Sequence, residues 1–262
     1  SLDQSNFSRL RERLVATDIA RRFFDEVVSL ARRKQLLSSD HFTIDGTLIE
    51  AWASFKSFKR KDGEPPKGGG DGTGMVDFKG EKRSNATHQS STDPDARLMK
   101  KSKGQAAQLS YGGHVLMENR NGLCVDILVT ESTQAEHRAA RSMLTRARRR
   151  RIHPKTLGAD KGYHVKEFVA HLRAHQIHPH IARIDGRKTP GLDGRTTCTE
   201  SYRSSQRKRK RVEEIFGWLK TIGGMRKTRF IGQAKTQMAA FIAGAAYNLL
   251  RIAKLGNSGA PV

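Results

Sequence analysis

The chain has 262 residues, enough for one large domain or two small ones with a substantial core. Its 49 Lys and Arg against 26 Asp and Glu leave a formal charge of +23, which calls for a polyanionic partner, nucleic acid first of all. Two cysteines, Cys124 and Cys198, exclude a disulfide framework or a cysteine zinc site and suit a reducing cytoplasm. Aromatic residues make up only 6% of the chain, which argues against a stacking platform for single strands.

Residues 7–37 carry Leu10, Leu14, Ile19, Phe23, Val27 and Leu30 at helical spacing, which predicts two helices, the second capped by Thr17 or Asp18. The chain starts with Ser and enters helical periodicity at once, so we expect a truncated N-terminal helical region over 1–37. "HFTID" predicts a short strand ending at Asp45. From Ser57 to about Gln105 the sequence turns polar and glycine-rich, which predicts a mobile insertion with little buried surface. Its glycines lack the Gly-Lys-Ser/Thr ending of a phosphate loop. "YGGHVLMENRNGLCVDILVT" (111–130) predicts a hairpin turning at Asn121-Gly122.

A helix with a basic end follows over 133–150, then the strand "TLGAD", a helix over 165–176 and a strand over 178–183. Residues 184–205 read as loop. The tail reads as a helix over 207–222 and an apolar helix over 235–254, the latter buried, because its longest apolar run (238–250) falls short of the roughly 20 residues that span a bilayer. A hairpin continued by strand–helix–strand units implies a mixed sheet covered by helices. The ends of its first and fourth strands can lie side by side.

Those ends carry Asp45-Gly46 and Asp160-Lys161-Gly162. Either Asp taken alone is equally an ordinary turn residue. A third carboxylate stands in "RKRKRVEEIFGWLK", where Arg209, Glu213 and Lys220 fall on one helical face. That face reads either as a ligand beside a phosphate backbone or as a solvated salt-bridge face. His171, His175, His178 and His180 have zinc-like spacing without an accompanying zinc motif, and Trp218 reads as core.

Taken in order, "FTIDGTLIEAW", "HVLMENRNGLCVDILVT", "GADKGY", "RVEEIFGWLK", "GGMRKTR" and "AAYNLLRI" resemble the DDE-type transposases of bacterial insertion sequences, over most of the chain from about Ser38. The resemblance implies an α/β RNase H-like fold: a five-stranded mixed sheet flanked by helices, forming one catalytic domain over 38–255. It implies Asp45, Asp160 and Glu213 as catalytic residues and as ligands of Mg²⁺ or Mn²⁺, with Glu214 as the neighbouring alternative. Along the last catalytic helix the family order Tyr, Arg, Glu, Lys is met by Arg209, Glu213 and Lys220, whereas Gln206 stands at the Tyr position, which puts a family contact to DNA in doubt. The implied partner is double-stranded DNA, insertion-sequence ends and target, bound with a homodimer as the expected assembly. Lys161, Arg207, Lys208, Arg209, Arg211, Lys220, Arg148, Arg149 and Arg150 are the expected phosphate contacts. The competing readings are an inactive or repurposed transposase-derived DNA-binding protein and a basic RNA-associated protein of ribosomal character.

Overall fold

The computed structural model describes residues 9, 12–13, 17–62, 83–102 and 104–257. Helix α1 (Ile19–Arg33) buries Phe24, Val27, Val28 and Ala31, a stripe that shares Val27 with the expected one and leaves Ile19 and Phe23 exposed. Its start differs from the expected cap. Asp18 stands at φ 53° and makes no cap hydrogen bond, and the Thr17 hydroxyl donates to the Arg13 carbonyl instead. The helix expected ahead of it lies almost wholly outside the described residues.

Strand β1 (His41–Glu50) is ten residues long, so Asp45 lies mid-strand and not at a strand tip. It pairs antiparallel with β5 (Gln108–Glu118) over nearly its whole length, and parallel with β7 (Thr156–Ala159) only from His41 to Thr43. β5 pairs antiparallel with β6 (Leu123–Glu131), and β7 pairs parallel with β8 (His178–Ile181). The resulting order, β6-β5-β1-β7-β8, is the expected five-stranded mixed sheet of RNase H-like type. Helices α2 (Glu136–Arg149) and α3 (Lys166–Ala174) make the crossovers around β7. Phe42, Ile44, Leu116, Val125, Leu157 and Phe168 are fully buried between the sheet and its helices.

The hairpin loop runs through four residues, because Glu118 pairs with Leu123. Gly122 takes the expected positive φ, 69°. The Glu118 carboxylate holds the loop by accepting from the Arg120 and Asn121 amides at 2.8 and 2.9 Å.

Two segments read as unstructured contain elements. At the ends of the insertion, β2 (Phe58–Arg60) pairs with β3 (His88–Ser90), and β4 (Arg97–Met99) extends the main sheet beside β6 on the edge of β5. Phe58, Asp93 and Ala96 are buried there, and the Tyr111 hydroxyl donates to Asp93 at 2.6 Å. A few anchoring residues hold these ends to the sheet, which is why average polarity concealed them. The middle of the insertion (63–82) lies outside the described residues. Within 184–205, α4 (Gly194–Thr197) and the start of α5 (Glu200–Lys208) form, each under a side-chain cap, from Asp193 and Thr199. A 3₁₀ turn, Arg209–Arg211, then separates α5 from α6 (Val212–Thr221), where a single helix is expected.

The last helix, α7 (Gln233–Asn257), lies along the edge strand β6. By length and composition alone it could cross a bilayer, yet 50% of its most apolar window is buried inside the protein. Its side-chain amides complete the strand's outward hydrogen bonds. Asn248 accepts from Cys124 N at 2.8 Å and donates to Cys124 O at 2.7 Å. Gln237 accepts from Val129 N and donates to Ile127 O, and Gln233 donates to Val129 O. At the opposite edge, Tyr202 and Gln206 of α5 donate to the Ile181 and His180 carbonyls of β8. Gln206, at the position of the family tyrosine, therefore serves the sheet edge.

Candidate active site

The last parallel pair between β1 and β7 is Thr43 with Gly158. Asp45 and Asp160 each stand two residues beyond it, on the same side by strand alternation. Past this pair β1 continues along β5 while β7 ends, so one edge of β1 opens beside Asp45. Asp160 caps the 3₁₀ turn Lys161–Tyr163, accepting from the Gly162 amide at 2.8 Å. Asp45 accepts from the Gly46 amide at 2.8 Å.

Glu213 stands exposed in the first turn of α6. Burial first, then the Asp160 carboxylate and also Glu213, push the Asp45 carboxyl up to about 6, against the opposing pull of the Gly46 amide and Arg209. Glu214 turns the other way, toward Arg211 and Arg251, each 3.9 Å from its carboxylate. Lys220 continues the Glu213 side. Burial first, and then Lys101, lower its ammonium, while Glu213 raises it. With Lys101 and Arg226 it lines an open groove that also includes Met99 and Gln108.

A fourth carboxylate, Glu136, which the sequence did not single out, opens α2. A Cβ placed on Gly46 would stand 2.8 Å from Glu136 Oε1, and one on Gly162 would stand 3.1 Å from both Glu136 Oε2 and Asp160 Oδ1. The Glu136 and Asp160 carboxylates therefore lie within roughly 6 Å of each other. Burial first, then Asp160 and Asp45, push the Glu136 carboxyl up to about 7. A Glu in the first turn of a helix is common, because the N-terminal dipole favours it, so the sequence carried no distinguishing signal.

These acids form an all-oxygen donor set of the kind that hard divalent cations prefer. Among the described residues, no three acidic, imidazole or thiol side chains stand at metal-ligating distance from one point. No ion pair joins Asp45, Glu136, Asp160 or Glu213 to any described Lys, Arg or His, in a chain of charge +23. The chemistry of this donor set fits a hard divalent cation, with Arg209 as the nearby basic group that acts on Asp45.

The Transposase DDE domain family matches residues 39–249. The chain belongs to this family. No curated protein matches the sequence. Among solved structures, the Mos1 transposase paired-end complex with left transposon end is similar at 8% identity and a TM-score of 0.29, over 90% of this chain and 60% of that one. A pre-cleavage Mos1 transpososome is similar at 9% identity and a TM-score of 0.28, over 93% and 62%. The chain thus spans about three-fifths of the length of the Mos1 chains that it matches.

In this DDE domain the expected phosphate contacts fall into two groups. Lys161, Arg207 and Lys208 are exposed, Arg209 and Lys220 are half-buried near the acids, and Arg148 and Arg149 are exposed at the far end of α2. That end is about 20 Å from Glu136, at roughly 1.5 Å per helical residue. Two further arginines of the expected set have partners within the protein. Arg150 bonds Asp25 at 2.6 Å and the buried Asp126 at 3.4 Å. Arg211 donates to the Asn119 and Arg120 carbonyls at 2.7 and 3.0 Å. Of the histidines, His171 and His175 pack with tilted rings whose centroids are 4.2 Å apart, and His180 is buried. Trp218 packs edge-on against Tyr247.

Proposed function

We propose that this chain is the catalytic domain of a DNA transposase that cleaves phosphodiesters and joins strands at the ends of an insertion sequence. What supports this reading is the position of Asp45 and Asp160 just beyond the last parallel pair of β1 and β7, in a chain of the Transposase DDE domain family, with Glu213 on α6 near enough to act on Asp45. Those three residues would hold Mg²⁺ or Mn²⁺. The chemistry such ions supply is activation of the attacking oxygen and relief of charge on the leaving one. Asp45 and Asp160 are fixed by the sheet and by their bonds to the Gly46 and Gly162 amides. Arg209 stands next to Asp45, and Lys220, Lys101 and Arg226 flank the Glu213 side, where they would take the phosphates on either side of the scissile bond. Exposed Lys161, Arg207 and Lys208 extend this basic surface toward duplex DNA, with a homodimer on DNA as the working assembly and the bacterial nucleoid as its place.

The test is Mg²⁺-dependent nicking of a duplex that carries the element's ends. Asp45→Asn, Asp160→Asn and Glu213→Gln should each abolish cleavage and leave DNA affinity within about threefold. Glu214→Gln should cleave at nearly the wild-type rate. Full cleavage by Glu213→Gln, or a greater loss in Glu214→Gln, would overturn the assignment.

A further inference from the structure

At the other end of the parallel strands from the acids lies a polar cavity of about 500 Å³. It sits where β7 and β8 begin, and residues of the segment 191–201 form its far wall. His178 and His180, two of the histidines with zinc-like spacing, line it. Thr156 on its wall starts β7 and Asp160 follows the end of that strand, so roughly 13 Å separates the cavity from the acids.

Arg173 of α3 sets the sign of its charge. The guanidinium donates to the Gly191 carbonyl at 3.0 and 2.6 Å and to Thr196 Oγ1 at 2.5 Å. Its remaining nitrogen stands 3.3 Å from His178 Nδ1. None of these partners is an acid, and among the described residues no carboxylate pairs with Arg173. The loop is shaped to this side chain: Gly191 takes φ 82°, and a Cβ there would stand 3.2 Å from Arg173 Cγ. The acid on the cavity wall, Asp193, is committed to Arg195 at 2.8 Å. A guanidinium held in place without a carboxylate keeps its charge and its fork of donors for a ligand.

Two further features point to an anion. His180 lines the cavity, is 3% exposed, and its Nδ1 has no hydrogen-bond partner. Native structures rarely leave a buried ring nitrogen so. Burial first, then His41, His178 and Arg173, hold this ring uncharged at neutral pH, with one N–H to give. The nine-residue helix α5 also begins here, with Thr199 and Ser201 on the wall. Thr199 Oγ1 accepts from the Tyr202 amide at 3.1 Å, so the amides of Glu200 and Ser201 ahead of it are the open donors of the first turn. The Glu200 side chain turns to Arg203 and Arg207, 3.6 and 3.0 Å away. Guanidinium, imidazole, hydroxyl and amide donors thus meet from several directions, as the oxygens of a tetrahedral anion require.

Resting on the reading that this chain acts on DNA, we propose that the cavity is a phosphate-binding site that seats a backbone phosphate of the DNA held at the acids. Helix α5 joins the two places. It starts at the cavity, and Arg209, directly after its end, acts on Asp45. A phosphate held at the start of α5 would anchor the nucleic acid about 15 Å from the scissile bond, one helix length away. A free phosphate compound would meet the same donors, and the experiment separates the two sources.

The whole chain, labelled with ¹³C at histidine Cε1, is titrated with inorganic phosphate and, at matched ionic strength, with chloride. Duplex affinity is measured against salt, and each variant is melted. The His180 signal should shift and saturate with phosphate and stay still in chloride. Ser201→Glu places a carboxylate on the cavity wall where a helix start favours an acid. Its melting temperature should hold or rise, while the phosphate shift is lost, duplex affinity falls roughly threefold or more, and the slope of log affinity against log salt drops by about 0.9. Arg173→Gln should lose the phosphate shift as well, and Ser201→Glu carries the test should that variant fold poorly. No saturable shift in the wild type, or an undiminished one in Ser201→Glu, would overturn the site. A phosphate shift that Ser201→Glu removes without change in the duplex slope would overturn the DNA source and assign the cavity to a free phosphate compound. If the wild type binds no duplex even at low salt, the DNA reading itself falls, and with it the DNA source, whatever the phosphate titration shows.

Discussion

The basic run at the end of α2 divides into residues that hold the fold and residues that face solvent, and substitution should separate them. Asp126 on β6 is 1% exposed. Arg146 Nε stands 2.8 Å from one of its oxygens and Arg150 Nη2 stands 3.4 Å from the other. Removing one partner of a buried ion pair costs about 3–5 kcal/mol when the remaining charge is left alone. Here a second arginine remains in either variant, so we expect about 2–4 kcal/mol for Arg146→Met and about 1–2 kcal/mol for Arg150→Met, which also loses Asp25. Arg148→Ala and Arg149→Ala, on exposed side chains, should stay within about 0.5 kcal/mol. Replacing Asp126 and Arg146 together by Leu should cost less than Arg146→Met alone, because no buried carboxylate is then left short of a partner. Urea unfolding followed by far-ultraviolet circular dichroism measures all five. Equal losses at Arg148 and Arg150, or less than about 1 kcal/mol for Arg146→Met, would refute the reasoning. The same ranking decides which arginines can report on DNA. A change in salt dependence from replacing Arg148 and Arg149 is interpretable, whereas one that includes Arg150 is confounded by stability.

Asn248→Ala should cost roughly 2–5 kcal/mol in the same assay, because it leaves both the N–H and the C=O of buried Cys124 unpaired. His180 is held down at about 4 by burial first and then by His41, His178 and Arg173. A histidine depressed below its unfolded value near 6.5 contributes stability above that pH and loses it as the pH falls toward 4, so His180→Gln should make the acid limb of the stability curve shallower, by up to about 3 kcal/mol at pH 4. Replacing Lys101, Lys220 and Arg226 by Ala should each reduce the slope of log affinity for duplex DNA against log salt by about 0.9, as read in fluorescence titrations, if each meets one phosphate.

The sheet was legible in the sequence because β-rich runs, the Asn121-Gly122 turn and helical stripes follow local rules. Asp45, Asp160 and Glu213 were singled out only through their order along the chain, since each is unremarkable alone. What escaped was set by tertiary contacts. Gly46 and Gly162 looked like turn residues, yet their backbones are ordinary and their neighbour is a side chain about ninety residues away from one and about thirty from the other. Glu136 looked like a helix-start acid. Arg150 and Arg211 looked like part of a solvated basic surface until Asp126 and the hairpin carbonyls claimed them. The ends of the insertion looked empty because single residues, Phe58 and Asp93 among them, do the anchoring.

The amide groups that line the two flanks of the sheet limit how this domain can meet a second copy of itself. An open strand edge invites another chain to add a strand, which is a common route to unwanted association. Along β6 the outward groups of Cys124, Ile127 and Val129 are already occupied, the Ile127 amide by Asp126 and the rest by Asn248, Gln237 and Gln233. Along β8 the outward Ile181 carbonyl is taken by Tyr202, and the outward Pro179 brings no N–H to offer. Strand addition at either flank would first have to strip these side chains away. Any contact between copies of this domain that left these bonds in place would run through helix and loop surfaces.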